Sequence, residues 1–122
     1  MAVAFVSRTI LIVTGGRIGD ARFLKSQLEA VDPNDVICAD GGAEHLYTAG
    51  FVPGVIIGDM DSVDPDVLAC FEGKGCRLIR HSRQKDKTDT QLALEYALEM
   101  KPAGIIVIGA GGGRIDHTLA NI

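Results

Sequence analysis

The chain has little that would bind a polyanion, cross-link itself or enter a bilayer. Twelve basic residues face sixteen acidic ones, a formal charge of −4. A nucleic-acid-binding domain shows a basic face, so this balance argues against such a partner. It leaves nucleotides open, because phosphates can be held by backbone amides and a metal ion. Cys38, Cys70 and Cys76 are odd in number and form no Cys-x-x-Cys pair. A disulfide framework is therefore not expected, and a reducing cytoplasm is the default location. No apolar run approaches the roughly 20 residues that span a bilayer. The opening MAVAFVSR lacks a basic segment, and Arg8 interrupts its apolar stretch, so no signal peptide is expected. Aromatic residues are scarce, at 5 %, which leaves the interior to Val, Ile, Leu and Ala.

What is present suits one compact domain over residues 1–122, long enough to bury a substantial core. Five short runs rich in β-branched residues recur: Thr9 to Val13 (TILIV), Val36 to Ala39 (VICA), Val55 to Ile57 (VII), Arg77 to Arg80 (RLIR) and Ile105 to Ile108 (IIVI). Most are apolar on both faces, as buried parallel strands are. Cys38, inside VICA, reads as a small core residue. Helical patterns lie between the runs. Asp20 to Ala30 is amphipathic, with Phe23, Leu24 and Leu28 on one side. Asp64 and Pro65 form an N-cap and first-turn proline ahead of PDVLACF. Thr88 to Met100 opens on a Thr-x-x-Gln capping box, and Gln91, Glu95 and Glu99 make a thin solvent stripe on a largely buried helix. The alternation predicts a three-layer α/β/α fold around a mainly parallel, Rossmann-like sheet. The last residues, HTLANI, read as the start of a helix with nothing to close it, as if the chain were a piece of a longer protein.

In such a sheet, ligands collect at the carboxyl ends of the strands. Those ends deliver Thr14, Gly15 and Gly16; Asp40, Gly41 and Gly42; Gly58, Asp59, Asp61 and Ser62; and Gly109 to Gly113 followed by Arg114 and Asp116, with Ala110 inside that run. A further contribution comes from KDKTD, where Asp86 and Asp89 sit among Lys85, Lys87 and Thr88. Singly, these residues have ordinary explanations: Asp forms turns, Gly permits them, and Asp89 favours the positive end of its helix. Together they place acids and bare backbone along one edge. If the segment around Asp59 and Asp61 is extended, both carboxylates project the same way and can grip one hard cation such as Mg²⁺. The glycines let amides approach phosphate. No Walker-type phosphate loop occurs, and GAGGGR has Arg114 where the dinucleotide fingerprint needs glycine or alanine.

ADGGA, GDMDS, KDKTDTQLAL and GGGRIDHTLANI, in this order and at these separations, resemble thiamine pyrophosphokinases, over about Ile10 to Ile122. The resemblance implies Mg²⁺-dependent transfer of pyrophosphate from ATP to the hydroxyl of thiamine, with thiamine diphosphate and AMP as products. It implies that Asp59, Asp61 and Asp89 serve the magnesium and phosphate site, with Asp40 and Asp116 in the same cleft. The proton acceptor is left open between Asp89 and Asp116. It also implies that Gly41, Gly42, Ser62, Thr88 and Arg114 lie near the nucleotide, to which the strand-end glycines Gly15 and Gly16 and the loop lysine Lys87 are added as expected nucleotide-binding residues. Glu44 departs from the family, whose members often carry Asn there. A homodimer is expected of the full-length protein, built in part by a C-terminal β-sandwich domain that this chain does not contain. The alternatives are a domain that binds ATP-Mg²⁺ without turning it over, an Asp-x-Asp metal-dependent phosphatase, or an Asp-x-Asp nucleotide-sugar transferase.

Overall fold

A computed structural model describes residues 8–16, 21–61, 63–81 and 88–109, together with the backbone of 117–120. Six strands form one sheet in the order β4-β3-β2-β1-β5-β6. They are β1 (Thr9–Val13), β2 (Val36–Ala39), β3 (Val55–Gly58), β4 (Arg77–Arg80), β5 (Gly104–Ile108) and β6 (His117–Ala120). The first five are parallel, and β6 runs antiparallel along β5 with Gly104 opposite Ala120 and Val107 opposite His117. Four helices accompany them: α1 (Ala21–Glu29), α2 (Ala43–Thr48), α3 (Pro65–Gly73) and α4 (Asp89–Glu99).

The period-2 alternation of the strands sorts the core into two layers. Leu11, Val13, Val36, Cys38, Ile56 and Ile108 face Leu24 and Leu28 of α1, Leu46 of α2 and Phe71 of α3. Ile10, Ile12, Ile37, Ala39, Ile57, Ile105 and Val107 face Ala93 and Ala97 of α4. The sheet therefore has helices on both sides, as the alternating pattern predicts. The reason lies in connection handedness. Three steps from β1 to β4 travel one way along the sheet with their helices on one face. The return from β4 to β5 travels the other way and carries α4 to the opposite face. The reversal creates a switch point between β1 and β5, where ligand crevices form.

Local sequence signals sit where they were expected. Asp64 accepts a hydrogen bond from the Asp66 amide with Pro65 at the first position of α3. Thr88 and Gln91 complete a reciprocal capping box on α4. Two readings are corrected. Residues 117–120 form a strand, where the sequence suggested a helix start. A helical turn that short gains little by itself, whereas the open edge of β5 offers a ready row of hydrogen-bonding groups. Helix α4 is also less buried than its pattern implied: Gln91, Glu95 and Glu99 are exposed, but so is Leu98, at 52 %, and only the small Ala93 and Ala97 are fully enclosed. Helix α2 was missed, because six residues are too few to display a helical period.

Candidate functional site

The carboxyl ends of β1, β2, β3 and β5 meet at one rim, and each arrives with small or acidic residues. At β2, the apolar run ends directly in a short 3-10 turn, Asp40–Gly42. Its first residue, Asp40, adopts φ 22° and is only 2 % exposed. Asp59 follows β3. Asp89 is the first residue of α4, behind its Thr88 cap. One carboxylate oxygen from each of Asp40, Asp59 and Asp89 lies within 4.8 Å of the others.

Three carboxylates this close repel one another, and the buried one bears most of the cost. Burial pushes the Asp40 carboxyl up to about 7 from its usual 3.8, and the hydrogen-bonding and charge of Asp59 and Asp89 push in the same direction. Asp40 Oδ1 is enclosed and meets no donor among the described residues. Its neighbours are acceptors too, so only a proton or a cation placed among them resolves the contact. Hard divalent cations take such oxygen sets, and these three residues fit one.

Gly58 makes the cluster possible. Its φ is +151°, and a Cβ there would stand 2.8 Å from Asp40 Cβ and 3.2 Å from Asp89 Cγ. Any side chain would drive the two carboxylates out of place.

The segment that carries Asp59 and Asp61 is not extended. Met60 takes φ +69°, so the segment turns and does not run extended. Asp61 is exposed and donates its backbone N–H to Asp59 Oδ1 at 2.9 Å. It lies outside the group formed by Asp40, Asp59 and Asp89. The two-residue spacing implies a shared projection only in extended backbone, and here the backbone turns at Met60. Asp40, expected to line the cleft, instead supplies the buried member of the cluster.

The predicted glycines converge. A Cβ on Gly15 would sit 3.1 Å from Gly41 Cα, and one on Gly42 would sit 2.3 Å from the Val13 carbonyl oxygen. A Cβ on Gly16 would fall 1.4 Å from the Gly109 carbonyl oxygen, so the β1 and β5 turns touch as bare backbone at the switch point. Thr14 is buried beneath them and donates its hydroxyl to the Ile108 carbonyl at 3.1 Å. Thr88 is exposed at the same rim. Ser62, Lys87, Arg114 and Asp116 lie outside the described residues.

His45 had been overlooked. It projects from α2, and its Nε2 lies 2.8 Å from the Gly16 carbonyl oxygen. A carbonyl can only accept, so Nε2 carries the proton and donates. Nothing in the sequence flagged His45, since its partner is 29 residues away.

The family model described as "Thiamin pyrophosphokinase, catalytic domain" matches residues 31–122. A thiamine pyrophosphokinase from Bacillus subtilis is 40 % identical to this chain, over 70 % of the chain and 40 % of the relative. One from Arabidopsis thaliana is 34 % identical over the same shares. Among solved structures, the Bacillus subtilis thiamine pyrophosphokinase superposes with a TM-score of 0.66 at 33 % identity, over 88 % of this chain and 49 % of that one. The thiamin pyrophosphokinase from Geobacillus thermodenitrificans gives 0.62 at 34 % identity, over 87 % and 48 %. The chain thus spans about two fifths of the length of the curated relatives it matches.

Proposed function

The chain belongs to the thiamin pyrophosphokinase family, and from that premise we propose that it is the nucleotide-binding catalytic part of a diphosphate transferase acting on ATP and thiamine. The observation that carries the proposal is the convergence of Asp40, Asp59 and Asp89 at the strand ends, beside a floor of bare glycine backbone. Asp40, Asp59 and Asp89 would hold Mg²⁺, which when bound would neutralise charge on the phosphates and on the departing AMP. Asp61, exposed and hydrogen-bonded through its N–H to Asp59, is assigned to the metal and phosphate site in the same proposal.

The protein's own contribution is placement. The turns at Gly15–Gly16 and Gly41–Gly42 leave room for the triphosphate to lie against the backbone. The thiamine hydroxyl oxygen attacks the β-phosphorus, the bond from that phosphorus to the bridging oxygen breaks, and AMP leaves with the electron pair. The hydroxyl proton passes to a carboxylate, that of Asp89 or Asp116. Ser62, Lys87, Thr88 and Arg114 are assigned to the nucleotide in the same proposal. A homodimer, a second β-sandwich domain and a cytoplasmic location belong to it as well; no helix among the described residues is long and apolar enough to cross a membrane.

Incubation of the intact protein with ATP, Mg²⁺ and thiamine, followed by separation of the nucleotides, tests the reaction. AMP and thiamine diphosphate in equal amounts are expected. Formation of ADP, or release of orthophosphate without thiamine, refutes the transfer.

A further inference from the structure

Gly15 and Gly16 follow β1, and two consecutive glycines ordinarily sample many backbone states, since neither has a Cβ to restrict φ. Here the Gly16 residue is held on both sides. Its N–H donates to the hydroxyl oxygen of Thr14 at 3.4 Å, and its carbonyl accepts from His45 Nε2 at 2.8 Å. The two holders differ in origin. Thr14 belongs to the same turn, and its hydroxyl donates in its own right to the Ile108 carbonyl of β5. His45 comes from α2, 29 residues along the chain. That helix follows directly on the Asp40–Gly42 turn, so His45 stands on the segment that begins with the buried carboxylate. The two turns also meet as backbone, where a Cβ on Gly15 would sit 3.1 Å from Gly41 Cα. Helix α2 is already seated by its buried Ala43 and Leu46, so it does not need the His45 side chain to stay in place.

We propose that His45 is a positioning residue: by donating to Gly16 it fixes the Gly15–Gly16 turn relative to Asp40, and so aligns the phosphate chain with the acidic cluster. The inference rests on the reading of these turns as the floor of an ATP site. A ligand that needs one arrangement of a turn binds more weakly in proportion to the time the turn spends elsewhere. One hydrogen bond of ordinary net strength changes such a population roughly three- to ten-fold. A turn held in advance spares the triphosphate the cost of ordering it. His45 achieves this without touching the ligand, through the Gly16 carbonyl alone. The ground state and the transition state lie on the same floor, so the gain falls on binding and leaves the chemical step unchanged.

The test measures the dissociation constants of ATP-Mg²⁺ and inorganic tripolyphosphate-Mg²⁺ by calorimetry, and kcat with thiamine, on the intact protein, His45→Ala and His45→Gln. Glutamine can bring an amide N–H to the place of Nε2 and alanine cannot; both are good helix formers, and circular dichroism verifies the fold. In His45→Ala both dissociation constants are expected to rise by the same factor, roughly three- to ten-fold, with kcat at saturating ATP unchanged. His45→Gln should recover most of the loss. Thr14→Val removes the other holder and leaves the Ile108 carbonyl its bond from the residue 14 N–H. It should raise the same two constants, and it reads the turn independently of α2. Unchanged constants in His45→Ala overturn the proposal, and so does a fall in kcat with both constants kept, the mark of a merely structural role. A loss confined to ATP, with tripolyphosphate bound as in the parent, places His45 on another part of the nucleotide and overturns it too. A parent that binds neither ligand refutes the nucleotide reading beneath, and the proposal with it.

Discussion

Replacing Asp40 by asparagine keeps the side chain's shape and removes one charge from a cluster of three. The size of the effect can be worked from the structure in two ways. At 4.8 Å and an effective dielectric of about 20, one pair of carboxylates repels by about 3 kcal/mol. Independently, a carboxyl moved from 3.8 to about 7 represents about 4 kcal/mol between its two protonation states. The first counts one charge pair, whereas the second arises chiefly from burial, to which Asp59 and Asp89 add. Its sign with pH follows from linkage. The folded protein keeps a proton on Asp40 that the unfolded chain has lost, so without metal the folded state loses stability as pH rises from about 4 through about 7. Asp40→Asn should abolish that slope. In EDTA at pH 8 the variant is expected to be about 2–4 kcal/mol more stable than the parent, a rise in Tm on the order of 10 °C. With Mg²⁺ in excess the parent should gain stability by mass action, and the variant, lacking the buried ligand, should gain little. Thermal unfolding at pH 5 and pH 8, in EDTA and in MgCl2, reads all four arms. A parent whose stability in EDTA is flat across this range, with no gain in the variant at pH 8, would show that the carboxylates do not strain one another and that the reasoning is wrong.

Two further substitutions test how the scaffold supports the site. Gly58→Ala should destabilise the fold by about 2 kcal/mol and weaken Mg²⁺ binding, since its Cβ would press on Asp40 and Asp89; denaturant unfolding and metal titration measure both effects. Thr88→Ala removes the side chain that caps α4 and should cost about 1 kcal/mol in urea unfolding, with Thr88→Ser recovering most of it.

Much of the architecture is written locally. The five parallel strands, the N-cap at Asp64 and the capping box at Thr88 depend on neighbours in sequence, so a periodicity or a four-residue motif suffices to find them. The acidic and glycine-rich strand ends were legible for the same reason: each follows directly on an apolar run. The turn between Asp59 and Asp61 rests on a single dihedral angle, the positive φ of Met60, which spacing does not encode. The helix expected at the chain's end failed because a strand edge 10 residues or so away in sequence is a better partner than an isolated turn.

The sequence by itself determined the alternation of strands and helices, and with it an α/β sheet carrying acids and glycines along one edge, because those patterns arise from short-range hydrogen bonding and the burial of apolar faces. Only the tertiary structure decided that Asp40 is the buried carboxylate, that Gly58 makes room for it, and that His45 reaches Gly16. Those relations join residues tens of positions apart, and they exist only after crossover handedness has set the order of the strands.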